Sequence, residues 1–402
     1  MARTLTWRRR TRRPWLLDAA ALSLATTTLS LARFGYSVLL PGMKHDLDWS
    51  YTQAGLMNTS NALGYLVGAV AAGVVVFRLG EHRTFVFSFV VCAASILASG
   101  LTADYAILLA LRASAGGSAA LLFVSGATLA ARLAQASPSS GLVLGVYFAG
   151  VGPGIVASAL LAPIVLSMEG GWRVGWVAMG VIALVCAIPA TRIGRLFEGS
   201  PAQRPSESSI GLRSLGWSLL AFTLYGLGYV SFMTFIVASY RDVGASVAGV
   251  TVFWSLLGAA AIGSAWAWGW LLEREGRSPL AVLLGLCTIG ASLPLLGSSE
   301  PLMLGSALIF GGSFLGVVSA MTQLVRRTLP EYGWASGLAT ATALFAAGQA
   351  GGPYMTGFLA DQTGDLAVGL ALSAGFLALA TFVATRQRPS VIGSIHDQFG
   401  AR

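Results

Sequence analysis

Two arginines stand where arginine is expensive. Arg33 and Arg112 each lie deep within a run of apolar residues. A cation at bilayer depth costs about 2.5 to 3.5 kcal/mol on insertion scales, so neither is expected to face lipid, and both should point into a protein interior or a cavity. A guanidinium held there offers a planar fork of donors that matches a carboxylate or another oxyanion through two parallel hydrogen bonds. Thr26, Ser30, Arg33 and Ser37 recur at i, i+4, i+7 and i+11, which is one face of a helix, and Tyr36 stands beside them. Other polar and aromatic residues form similar stripes: Asn58, Asn61 and Tyr65; Tyr225, Tyr229 and Phe232; Thr342, Phe345 and Gln349. Tyr147, Trp254 and Gln323 are further isolated candidates for a ligand-lining face. For any one of these, an interhelical hydrogen bond or a packing contact is the competing role. No aspartate or glutamate lies deep in an apolar run, because Asp18, Glu273 and Asp361 all fall near run ends. A proton relay of the usual kind is built on such a carboxylate, so a carboxylate-driven drug pump is disfavoured.

The elements that must position these residues are membrane spans. Of 402 residues 55% are hydrophobic and only 10% charged, against roughly a quarter charged in soluble domains. With about 20 apolar residues needed per crossing, spans are expected near 15–40, 52–77, 85–101, 105–133, 141–166 and 174–190, and again near 215–240, 247–272, 279–296, 301–324, 334–359 and 367–385. The chain therefore divides into a basic tail (1–14), a six-helix half (15–190), a linker (191–213), a second six-helix half (214–386) and a tail (387–402). The linker carries Pro201, Pro205 and a cluster of serines, a composition that builds no core. Arg8 to Arg13 before an apolar run has the outline of a signal peptide, but the run exceeds a signal h-region and lacks a small-residue cleavage site, so it reads as a retained first span.

The net charge of +9 resides in short connectors rather than on one folded face, which argues against nucleic acid. Placing the N-terminus inside collects nearly all arginines on the inner side and leaves Lys44, Arg173 and Arg241 outside, so the positive-inside rule puts both termini in the cytoplasm. Cys92, Cys186 and Cys287 sit within apolar runs without paired spacing, and His45, His82 and His396 share no ligand spacing, so neither disulfide, metal nor cofactor is expected.

The halves repeat. A shift of 196 lays Gly73, Arg78 and Gly80 on Gly269, Arg274 and Gly276, and Asp46 on Asp242; a shift of 195 pairs Gly116 with Gly311 and Arg132 with Arg327; after a small insertion Gly152 and Pro153 meet Gly352 and Pro353. With these motifs the chain resembles the major facilitator superfamily over essentially its whole length. GWLLEREGR resembles the signature loop between the second and third helices of each half, with Glu273 at the acidic position and Arg274 and Arg277 at basic ones. In the first copy Arg78 is kept, Phe77 stands at the acidic position and Glu81 at a basic one. Arg112 with Gly116 resembles the fourth-helix arginine motif, and GVYFAGVGPG the glycine-proline motif of the fifth helix. Within the superfamily, the stretch from Ala32 to Ala69 looks like the YbfB/YjiJ-type subfamily.

The resemblance implies twelve transmembrane helices in two pseudo-symmetric bundles, alternating access around a midplane site, and gating by Arg78, Glu273, Arg274 and Arg277. Arg33, eight residues before Pro41, resembles the first-helix arginine of the organophosphate:phosphate antiporters. Its repeat partner is Tyr229, however, so no symmetric arginine pair grips a phosphate. The expected function is therefore secondary transport of a small organic anion by a monomer in the inner membrane, coupled to a proton or a counter-anion. The alternative is export of uncharged or cationic amphiphiles over Tyr225, Tyr229 and Trp254. A membrane enzyme or receptor is disfavoured, because the spans carry no nucleophile-base or metal constellation.

Overall fold

The computed structural model describes residues 15–194, 212–269, 271, 278–330 and 333–387. Their regular structure is helical throughout, as a lipid-embedded backbone requires when every N–H and C=O must find its partner within its own segment. The helices are α1 (Trp15–Asp46), α2 (Tyr51–Leu79), α3 (Glu81–Ser99), α4 (Tyr105–Gln135), α5 (Ser140–Ser167), α6 (Gly171–Gly194), α7 (Gly216–Asp242), α8 (Val247–Ala267), α9 (Pro279–Ser292), α10 (Glu300–Thr328), α11 (Trp334–Thr363) and α12 (Leu366–Ala384). These twelve match the expected spans in number and order and form two bundles of six.

Ten are long and apolar enough to cross a membrane on length and hydropathy alone. The other two are instructive. α9 is short and ends in a 3₁₀ turn, Leu293–Leu295. α11 has 30 residues, but Gly, Ala and Thr dilute its hydropathy. It packs against α2 of the other half and against α7, where small residues matter more than oiliness.

The helix ends carry their own signals. Ser50 caps α2 in a capping box with Gln53, and Asp104, Ser246, Ser278 and Asp365 accept from the first turns of α4, α8, α9 and α12. α1 runs past its expected end to Asp46 despite Pro41. α5 is broken at Gly150, where Pro153 cannot donate to the carbonyl of Ala149.

Glycine sets how closely helices approach. A Cβ on Gly116 would strike the backbone of Asn61, and one on Gly55 the backbone of Pro353. The first contact joins α4 to α2 within one half; the second joins α2 to α11 across the halves. The halves meet along three helix pairs, α1 with α7, α2 with α11 and α5 with α8. Around them Val67, Val70, Phe87 and Phe382 are exposed, a surface suited to lipid rather than water.

Candidate functional site

Arg33 sits at the depth where the halves meet. It is 5% exposed. One terminal nitrogen of its guanidinium donates to Oε1 of Gln349 on α11, in the opposite half. Gln349 is fully buried and donates through Nε2 to the hydroxyl of Tyr229 on α7 at 3.2 Å. The guanidinium also lies over the ring of Tyr65 on α2, 5.3 Å from its centroid. Arg33 Nε and the hydroxyl of Ser30, one turn back, are buried without a hydrogen-bond partner among the described residues. No carboxylate lies within ion-pair distance of Arg33 among those residues. A buried cation whose side-chain hydrogen-bond partner is a neutral amide is electrostatically incomplete.

Arg112 occupies a different kind of place. Its fork donates to the carbonyl of Ala32 on α1 and to Oδ1 of Asn58 on α2, the latter at 2.7 Å. Asn58 passes the contact on by donating to Thr234 Oγ1 of α7 at 2.7 Å, and Asn61 donates to the carbonyl of Arg112 itself at 3.1 Å. The guanidinium packs over Tyr36 and Trp176 at 5.2 and 5.3 Å, and Tyr36 in turn donates to the carbonyl of Ala54. Arg112 therefore ties α4 to α1 and α2, and through Asn58 to the other half. Trp176 escapes sequence reasoning because nothing in its apolar surroundings distinguishes it from an ordinary packing aromatic.

Beside Arg33 the second half presents rings. Phe222, Tyr225 and Tyr229 lie on one face of α7, and Phe345 of α11 stacks on all three at 4.5, 5.6 and 5.5 Å with interplanar angles of 14°, 8° and 13°. Phe314 of α10 continues the series at 6.3 Å from Tyr229 and 15°. Tyr225 is fixed by donating to the carbonyl of Phe314 at 2.6 Å. The stripe Tyr225–Tyr229 and residues Phe345 and Gln349 thus converge, whereas Phe232 pairs instead with Phe310.

The remaining candidates lie elsewhere. Trp254 donates to Ser158 across the α5–α8 contact at 3.0 Å. Tyr147 sits in a first-half cluster with Phe123 and Phe148, and its hydroxyl donates to the Phe123 carbonyl. Gln323 is half-buried one turn before Arg327, toward the arginine-bearing end of α10. Arg78 is exposed at the end of α2. Glu273, Arg274 and Arg277 lie outside the described residues.

The two ends of the molecule differ. At the end bearing the α1–α2 turn, Asp361 of α11 accepts from the backbone N–H groups of Tyr51 and Thr52, each at 2.8 Å, and from the Thr52 hydroxyl at 2.5 Å. Tyr51 also donates to Asp242 at 2.6 Å. A carboxylate from one half thus sits on the positive N-terminus of a helix from the other. At the arginine-rich end, Glu81 pairs with Arg132 at 2.7 Å, which binds α3 to α4 within one half rather than across the halves. Glu81 thus serves as an acid one helix turn beyond Phe77, the position where the resemblance led one to look for it.

A twelve-helix duplicated bundle, closed across its halves at one end and holding buried polar groups at mid-depth, is a membrane transporter of the major facilitator type. The sequence model of the family described as "Uncharacterised MFS-type transporter YbfB" matches residues 25–385, and the chain belongs to that family. It is 24% identical over 392 residues to the inner membrane transport protein YdhP of Escherichia coli K12, covering 92% of this chain and 97% of that one. It is 26% identical over 356 residues to a chloramphenicol resistance protein of Streptomyces lividans, covering 86% and 90%. In fold it is similar to the crystal structure of the nucleoside transporter NupG, with a TM-score of 0.72 at 13% identity over 93% of this chain and 99% of that one. It is also similar to an inward-facing, unoccupied bacterial homologue of the human lysosomal transporter Spinster, with a TM-score of 0.69 at 17% identity over 94% and 99%.

Proposed function

We propose that the protein is a secondary transporter that carries a small organic anion through the inner membrane by alternating access, with both termini cytoplasmic and the monomer as the working unit. The observation that carries this reading is Arg33: buried at the junction of the halves, with no carboxylate in ion-pair distance among the described residues and its side-chain hydrogen bond made across the halves to the neutral Gln349. A carboxylate entering there would supply the missing charge and accept the free donor, replacing a neutral hydrogen bond with charge-assisted ones. Loading would also lower the cost of carrying the cation through the closed states between the two open ones.

The direction of movement then depends on the contacts described above. Asp361 on the α2 N-terminus and Tyr51 on Asp242 hold the outer side shut, and opening that side requires both to break. Since no acid among the described residues lies in ion-pair distance of Arg33, the coupling proton travels on the substrate or the transporter exchanges one anion for another.

The test is uptake and counterflow in proteoliposomes with wild type, Arg33→Gln and Arg33→Lys. Saturable, electrogenicity-resolved anion flux that falls to background in Arg33→Gln supports the reading; unchanged flux removes Arg33 from the site. A second reading, export of uncharged or cationic amphiphiles, is favoured by the chloramphenicol resistance relative and by the ring-rich wall of α7, α10 and α11. It requires drug sensitivity in a deletion strain that Arg33→Gln restores to normal, and no competition by carboxylates.

A further inference from the structure

The rings beside Arg33 are placed asymmetrically, and the repeat makes the asymmetry measurable. With the shifts that align each helix pair, Phe222, Tyr225 and Tyr229 of α7 correspond to Thr26, Leu29 and Arg33 of α1, Phe314 of α10 to Ala119 of α4, and Phe345 of α11 to Gly145 of α5. Five ring positions in one half are thus matched in the other by an arginine and four smaller side chains. At Gly145 a Cβ would meet nothing within 4 Å. Two halves packed about a shared axis with rings on one side and small residues on the other cannot fill the space between them symmetrically.

The orientation of the rings is equally specific. Phe345 lies within 8° to 14° of parallel with Phe222, Tyr225 and Tyr229, and Tyr229 within 15° of Phe314. Offset-parallel stacking is one of the two arrangements aromatic pairs prefer; here the planes agree across three helices, and Phe34 of α1 meets Phe314 edge-on at 82°. Phe345 is half-buried, whereas Phe222, Tyr225, Tyr229 and Phe314 are buried, so Phe345 is where a guest would meet the series. Its polar terminus is Tyr229, whose hydroxyl is joined through Gln349 to Arg33. A series of parallel rings thus runs from the half-buried Phe345 to a buried cation.

We infer that the substrate is an aromatic carboxylate: a flat ring system that stacks against Phe345, the half-buried ring of the series, while its carboxylate takes the Arg33 fork and displaces Gln349. This rests on the anion reading above and narrows it. Charge selects at Arg33, and planarity selects at the stack, so the two requirements separate experimentally.

The experiment uses the full-length purified protein and four probes that vary ring flatness and charge independently: benzoate, naphthoate, the saturated acid cyclohexanecarboxylate, and uncharged benzamide. Binding is read as the concentration giving a half-maximal shift in thermal unfolding, for wild type, Phe345→Leu and the conservative Phe345→Tyr, with Phe148→Leu as a control ring outside the stack. Expected is benzoate and naphthoate binding about tenfold tighter than cyclohexanecarboxylate, with that preference lost in Phe345→Leu and kept in Phe345→Tyr and Phe148→Leu. Equal binding of benzoate and cyclohexanecarboxylate overturns the aromatic inference and leaves the anion reading standing. Benzamide binding as tightly as benzoate overturns the inference through the anion reading instead. Binding of none of the four overturns the inference outright.

Discussion

The first half of this molecule brings both buried arginines to the centre, with Tyr36, Tyr65 and Trp176 against them, and the second half brings a five-ring stack. Arg33 and Arg112 both belong to the first half, whereas the stack of Phe222, Tyr225, Tyr229, Phe314 and Phe345 belongs wholly to the second. The scaffold that carries them is duplicated, so backbone architecture does not explain the difference. It resides in side chains at equivalent positions, Arg33 against Tyr229 being the clearest pair. The two arginines differ as well. Both leave Nε unpartnered among the described residues, but Arg112 bonds a carbonyl and an amide of its own half through both terminal nitrogens and rests on two rings, whereas Arg33 reaches across the halves to one neutral amide. The better-bonded cation, tied within one half, reads as structural, and the one held by a single neutral partner across the halves as the ligand-binding one.

That contrast breaks first at the arginines. Arg112→Ala strands Asn58 Oδ1 in a dry interior, which costs about 1 to 3 kcal/mol, and it also removes the second bond to the Ala32 carbonyl and the packing on Tyr36 and Trp176. The expected outcome is a large loss of folded protein, seen as low membrane yield and a sharply lowered unfolding temperature. Arg33→Gln should behave oppositely: it removes an uncompensated buried charge, so the unfolding temperature holds or rises while anion flux falls to background. If the two substitutions lower stability equally, the division into structural and ligand-binding arginine is wrong.

Much of this was legible beforehand and some was not. Twelve spans, the two-half division and the burial of both arginines follow from apolar run length and from the cost of charge in lipid, which act locally along the chain. The convergence of Tyr225, Tyr229, Phe345 and Gln349 was legible as two separate stripes, because helical periodicity reports which residues share a face but not which faces meet. Phe222, Phe314 and Trp176 were illegible: a packing aromatic and a site aromatic have the same side chain, and only the tertiary arrangement tells them apart. The cross-half capping of α2 by Asp361 was likewise hidden, since a carboxylate 310 residues from Tyr51 leaves no local signal. The acid at Glu81 was visible but misplaced relative to the family pattern, and its partner Arg132 lies a full helix away.

The comparison of the two ends breaks at Asp361. Asp361→Asn keeps the shape but removes the charge that faces the α2 N-terminus, an interaction worth about 0.3 to 1 kcal/mol at exposed sites and up to ~2 when partly buried. The populations of forms closed and open at the Asp361 end should shift toward open by a few-fold to tenfold. A cysteine introduced at Ala54, buried in the first turn of α2, should react faster with a membrane-impermeant thiol reagent in the Asp361→Asn background. Glu81→Gln at the opposite end should leave that rate unchanged, because its partner belongs to the same half. Equal effects from the two substitutions would mean that the ends are not functionally distinct.

The finest division lies within the ring wall itself, between stacking and hydrogen bonding. Tyr229 does both: its ring stacks between Phe345 and Phe314, and its hydroxyl accepts from Gln349. Tyr229→Phe preserves the ring and removes the oxygen, so Gln349 Nε2 loses a buried partner at a net cost of about 0.5 to 1.5 kcal/mol. With Gln349 less tightly held in the unloaded protein, an incoming anion has less to displace at Arg33. Apparent affinity for the anion should therefore rise about two- to fivefold, with little change in maximal flux, measured by concentration-dependent uptake in proteoliposomes. Tyr229→Leu removes stacking as well and should weaken affinity instead. Opposite signs from these two substitutions at one position would separate the charge-facing role of Tyr229 from its ring-facing one. A fall in affinity for both would place the hydroxyl in direct contact with the substrate, and Gln349 would then orient Tyr229 rather than guard Arg33.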